Sequence, residues 1–252
     1  SVLLGPDTFT EASNTIVIGH EADAYFDSMV VIGPGAGNSH SSSQGQSILI
    51  GANSISYAPQ VIAIGSESRG DNTNAIAIGE KSNAYGINSI AIGGSGSFST
   101  QTAAQGIQSI AIGFDAFAEN DQTIALGSYT DSRGDTTIAI GYESISNGAS
   151  SIALGTKSNA GYYHSIAIGT DSYSNGTGSI AIGLNTNSTY DGAIAIGSNS
   201  DASGTNSIAL GNGATVYSDN TIQLGNDDIT NVSTSGTLTI GDITIPNTDG
   251  SN

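Results

Sequence analysis

Asn88-Ser89-Ile90-Ala91-Ile92-Gly93 is the stretch whose reading decides the fold. Ile90 and Ile92 lie two residues apart, so on a strand they share one face and Ala91 takes the other. The same aliphatic-x-aliphatic-Gly pattern recurs with its glycine at Gly5, Gly19, Gly33, Gly51, Gly65, Gly79, Gly93, Gly113, Gly127, Gly141, Gly155, Gly169, Gly183, Gly197, Gly211, Gly225 and Gly241. The spacing is 14, except for 18 between Gly33 and Gly51, 20 between Gly93 and Gly113, and 16 at the last step. A period this regular is the signature of a solenoid. Fourteen residues are too few for a helix plus a strand, so each coil reads as two short strands and two turns. Stacked at about 4.8 Å per coil, the repeats form a rod on the order of 75–80 Å long.

The alternation assigns faces. The residues one and three before each glycine are aliphatic, from Val2 and Leu4 to Leu238 and Ile240, and are expected to form the core ladder. Three and five residues after the glycine the side chains are small, as with Ser82 and Ala84 or Ser158 and Ala160, and are expected to face that ladder. The residue between the aliphatics is alanine at Ala63, Ala77, Ala91, Ala111, Ala125, Ala139, Ala153, Ala167, Ala181, Ala195 and Ala209. A uniform small face lets backbones approach closely, and these alanines are expected to line an interface between three identical chains. Positions such as Asn83 and Tyr85, or Asp201 and Ser203, vary freely from coil to coil and read as an exposed surface.

Composition narrows the function. The chain has 252 residues, 35 of them glycine, with no cysteine or tryptophan and a formal net charge of −18. Four basic residues cannot neutralise a run of phosphates, which argues against nucleic acid and against an anionic membrane surface. No run is apolar enough to span a bilayer as a helix. No leader segment is visible before Ser1, and the anchor is expected outside this chain. His20, His40 and His164 lack metal-ligand spacing. The acidic residues match neither an EF-hand loop nor the calcium-binding glycine-rich repeat. No nucleophile elbow, phosphate loop or cysteine–histidine set is present. The expectation is a non-enzyme with no cofactor and no metal.

Asn74-Ala-Ile-Ala-Ile-Gly79, Asn88-Ser-Ile-Ala-Ile-Gly93 and Asn206-Ser-Ile-Ala-Leu-Gly211 each run on into Ser-x-Ala or a close variant. This run resembles the head of trimeric autotransporter adhesins of the YadA type, over about residues 1–225. The resemblance implies a left-handed parallel β-roll, three chains wound into one head, and attachment to host surfaces or extracellular matrix. Residues 226–252 depart from the repeat and form an irregular, β-rich transition segment. That end is similar to tail-fibre-like proteins carrying a self-cleaving chaperone domain, so the shaft or receptor-binding segment of a phage-like fibre is the alternative.

The expected fold is thus an all-β, parallel β-roll of 14-residue coils, trimeric, at residues 1–225. The expected function is adhesive and extracellular, at a cell surface or in a virion-like fibre. Its partner would be a surface receptor, a matrix protein or a glycan. Candidate contacts lie in two insertions, residues 34–46 with His40, and residues 94–108 with Phe98, Thr100, Gln101 and Gln105, because loops on a rigid scaffold commonly carry binding. Two Ser-Arg-Gly-Asp stretches supply Arg69 with Asp71 and Arg133 with Asp135, and both are expected in the same slot of the repeat. Ten tyrosines, among them Tyr85 and Tyr129, are expected as single surface residues.

Overall fold

The structure is a computed structural model that describes residues 1–38, 45–95 and 101–229. His40, Phe98 and Thr100 fall outside these residues, as does all but the first four residues of the segment 226–252. Strands of three and of two residues alternate along the chain, from Val2–Leu4 and Phe9–Thr10 to Thr215–Val216 and Ile222–Leu224. The three-residue strands stack into one parallel sheet of 16, and the two-residue strands into a second of 15. Each strand pairs only with its equivalents in the preceding and following coils, as Ile76 to Ile90 and Ile90 to Ile110. The architecture is the parallel β-solenoid that the 14-residue period implies.

The insertions keep this register. Asn83 pairs with Ala103, so the six extra residues of the longer insertion fall between Gly93 and Thr102. Gly37 pairs with Ile55, so the four extra residues of the shorter one follow Asn38.

The inside of the coil is the reverse of the expected core. Counting from the glycine that closes the three-residue strand, positions −4, −2, +3 and +5 point inward. In the coil closed by Gly155 these are Ser151, Ala153, Ser158 and Ala160, all fully buried. The aliphatic residues at −1 and −3 point outward and stay half-exposed, as Ile152 and Leu154 do. The physical reason is thickness. Two sheets joined by turns of a few residues lie too close to admit two isoleucines per coil. Alanine at −2 fills the gap, and a period of two then turns both flanking side chains out. Near the N-terminus the inward slots take larger residues, Val17, Met29, Val31, Leu49 and Val61. Gly70 answers Val61, whose side chain occupies the space that a Cβ on Gly70 would need.

Serine serves as a core residue because most of its buried hydroxyls find a nearby backbone carbonyl or a second hydroxyl across the core. At +3, Ser158 Oγ donates to Gly155 O (3.0 Å) and Ser172 Oγ to Gly169 O (2.9 Å). At −4, Ser109 Oγ donates to Gly106 O (2.7 Å) and Ser165 Oγ to Tyr162 O (2.7 Å). Across the core, the hydroxyls of Ser146 and Ser151 lie 2.6 Å apart, as do those of Ser174 and Ser179. Carboxylates tie neighbouring coils together at the second turn: Ile107 N donates to Asp121 Oδ1 (2.7 Å) and Thr205 N to Asp219 Oδ1 (2.8 Å).

Positive φ recurs at three turn positions of the coil: the closing glycine, the second residue after it (as at Tyr129, φ 57°) and the fifth residue before it. The closing glycine adopts a positive φ, +131° at Gly127, and a Cβ there would stand 2.6 Å from the carbonyl oxygen of Gly141 in the next coil. The residue five before the closing glycine is left-handed too, and asparagine fills it well at Asn74, Asn88 and Asn206. Thr136 holds φ 57° at this position with a branched Cβ, which is the strained case. Thr136→Asn is expected to raise stability by about 1 kcal/mol, and Gly127→Ala to lower it by about 2 kcal/mol or more. Thermal melts followed by circular dichroism check both.

Candidate functional site

The rod has two faces with opposite character. The first sheet turns outward a continuous double row of aliphatic side chains, −3 and −1 of every coil. Ile112 is 38% exposed and Ile140 is 37% exposed, well inside the rod rather than at its ends. An apolar stripe this long is far more than scattered surface residues amount to, and large exposed apolar patches commonly belong to interaction surfaces. The second sheet turns out positions +4 and +6, where most side chains are polar, charged or aromatic, with Ile55, Ala103 and Ile145 as exceptions at +4. The two faces lie on opposite sides of the thin coil, so covering one leaves the other open.

This geometry corrects the expected interface. Ala63, Ala77, Ala91, Ala111, Ala125, Ala139, Ala153, Ala167, Ala181, Ala195 and Ala209 are fully buried within the single chain. They are the solenoid's own core and have no surface left for a partner. The isoleucines beside them hold the outward position.

The Ser-Arg-Gly-Asp stretches do not share a slot either. Arg69 pairs in register with Asn83 at +4, whereas Asp131 occupies +4 in its own coil and Arg133 falls at +6. The two stretches are offset by two residues, so the same pair of outward slots reads Arg69 then Asp71 in one coil and Asp131 then Arg133 in the other. Arg69 Nε and Nη2 donate to both oxygens of Asp71 at 2.5 and 2.7 Å. Arg133 Nε lies 2.8 Å from Asp131 Oδ1, and its pair with Asp131 closes at 2.7 Å through Nη2. Asp135 stands exposed on the turn beyond, and Arg133 pairs backward rather than with it. The carboxylate hydrogen bond is the main cause that holds each guanidinium protonated above its ordinary range. Each arginine is thus held by an aspartate of its own coil, which leaves neither charge of the pair free.

Rings gather around these pairs, on the second sheet and on the turn that leads into it. The Arg69 guanidinium sits between Tyr57 (4.6 Å to the ring centroid) and Tyr85 (5.4 Å). Burial raises the Tyr85 phenol above its usual value, against the lowering effect of Arg69. Phe114, Tyr129 and Tyr142 pack edge to face at 5.5 and 5.9 Å, so these tyrosines form a cluster rather than standing singly. A groove of about 470 Å³ opens between Tyr85 and Arg133. It brings together Gln101, Gln105 and Arg133 of the candidate residues, and adds Phe117, Asp131 and Tyr129. Phe117 and Asp131 carry no motif; aligning the coils at their glycines, with the insertion removed, is the signal that puts both in the outward +4 slot.

Among the described residues no group of histidine and carboxylate side chains could hold a metal ion, and no helix is long and apolar enough to cross a membrane.

The repeat family described as YadA head domain repeat matches residues 71–95, 104–130, 132–158, 163–186 and 191–222, together more than half of the chain. No curated protein matches it. Among solved structures, the collagen-binding domain of the Yersinia adhesin YadA is similar, at 28% identity over 57% of this chain and 81% of that one, with a TM-score of 0.48.

The inverted core gives a direct check. Ala153→Leu is expected to destabilise the coil by about 1–3 kcal/mol, because Ser158 and Ala160 leave no room. Ile152→Ser is expected to leave the melting of an isolated chain almost unchanged. Urea melts under dilute conditions separate the two.

Proposed function

Because the chain belongs to the YadA head repeat family, we propose that it is an adhesive head, working outside the cell or at its surface, in which three copies pack through their aliphatic faces. The double row of half-exposed isoleucine and leucine down the first sheet carries this reading. At roughly 25 cal/mol per Å², covering about 40 Å² more of each such side chain contributes about 1 kcal/mol. The row has two such residues in every coil, and one chain alone has nothing to cover them with.

The packed head would then show three copies of the second sheet to its surroundings. That sheet carries the ion pairs, the rings and the groove, on the side away from the aliphatic row. The partner would be a matrix or cell surface. Three equal sites on a rigid rod let modest single contacts add to firm attachment. The family match favours this over a phage-like fibre.

Light scattering on the purified chain tests the assembly, with and without chelator. The expected mass is close to three times the 25.1 kDa of one chain in both conditions. Replacing Ile152, Leu154, Ile166 and Ile168 with serine is expected to shift the mass toward one chain. A stable monomer from the unaltered sequence would overturn the proposal. Beads coated with the trimer should attach to matrix-coated or cell-coated wells, and beads coated with the serine variant should attach far less.

A further inference from the structure

We infer that the groove between Tyr85 and Arg133 is a binding site for a neutral, unsulfated oligosaccharide. This rests on the adhesive reading and names the chemistry that the outward face would grip.

The groove exists because of one small residue. At +4 the coils on either side carry Asn83 and Phe117, whereas the coil between them carries Ala103. Ala103 makes a low floor. Tyr85 stands at one end, with Phe117 and Arg133 at the other. Tyr85 and Arg133 are three coil steps apart, about 14 Å, with Phe117 one coil short of Arg133, and the volume lies within the range of small-ligand sites.

The lining suits a sugar chain. A pyranose has an apolar C–H face and a rim of hydroxyls that both donate and accept. The rings of Tyr85 and Phe117 meet the first. The second is met by side amides and by a fixed ion pair, which offers an acceptor and a donor side by side. Gln101 is tethered, because Asn83 Nδ2 donates to its Oε1, and this leaves the Gln101 amide hydrogens to point elsewhere.

Charge selects among sugars. Arg133 is neutralised by Asp131 and has Glu119 at 3.9 Å besides, while Asp115 adds a further negative group. With the chain at −18, sulfated, sialylated and uronic acid chains are repelled. An extended peptide has no free strand edge to pair with here, since every strand in this stretch is already bonded on both sides.

The test applies the trimer to an array of immobilised neutral hexose and N-acetylhexosamine chains, beside sulfated and sialylated versions of the same chains. Two variants accompany it. Phe117→Ala removes a ring, and Ala103→Phe fills the floor with a residue that the same slot of the next coil already accepts. Both should keep the parent's mass and melting temperature. The expected result is binding to one or more neutral chains, with at least a tenfold weakening in each variant and weaker capture of the anionic versions. Binding to no neutral chain, binding only to anionic chains, or full binding by both variants would overturn the inference. The same proteins are applied to matrix-coated wells. Attachment there without any glycan binding would sink this inference and leave the adhesive reading standing, whereas loss of attachment by the unaltered trimer would count against the adhesive reading itself.

Discussion

The separation between the two sheets governs this molecule. A coil of 14 residues spends most of its length on two turns and five strand residues, so the sheets it joins are drawn close together. Only alanine, serine, threonine and glycine fit between them through most of the rod, with Ala153, Ser158 and Ala160 as the type. A core of such residues buries little apolar area per coil, and hydrophobic stabilisation scales with that area. The solenoid makes up part of the difference with hydrogen bonds. Its strands are paired on both sides, its buried hydroxyls close the turns beneath them, and aspartates such as Asp121 fasten the turn of the preceding coil.

The same thinness puts the large side chains outside. In most domains the aliphatic residues define the interior, and the chain is complete when they are covered. Here the coil is complete without them, and its aliphatic row is left over as a second hydrophobic surface. On the proposed packing, folding of the coil and assembly of copies would draw on different residues, alanine and serine for the first and isoleucine and leucine for the second. The closing glycines belong to the coil, since a side chain at Gly127 would strike the next turn's carbonyl.

Much of this was legible in the sequence. The period gave the solenoid, the two strands per coil and the parallel stacking, and the small residues at +3 and +5 face inward as expected. What misled was hydrophobicity. Alternation states that Ile90 and Ala91 face opposite ways, but not which of them faces in. The usual rule that isoleucine is buried was decided against by the sheet spacing, a property of the folded coil that no local pattern reports. Alanine was read as the contact residue for the same reason. Gln101, Gln105 and Arg133, which line the groove, stand out in the sequence because the first two lie in an insertion and the third is one of only two arginines. Phe117 and Asp131 were passed over as ordinary variation in an exposed slot. Their meeting depends on Ala103 being small, which becomes visible only when coils are laid over one another.

The strands run across the rod and their hydrogen bonds run along it. Tension applied end to end, as in a tether between two moving surfaces, therefore loads those bonds in line, where they open one coil at a time. A lone solenoid so pulled would peel from an end, as a zip does. Side chains that interlock with neighbouring copies at every level would force three coils to part together, and the rod's resistance to pulling would come from its sides and not from its length.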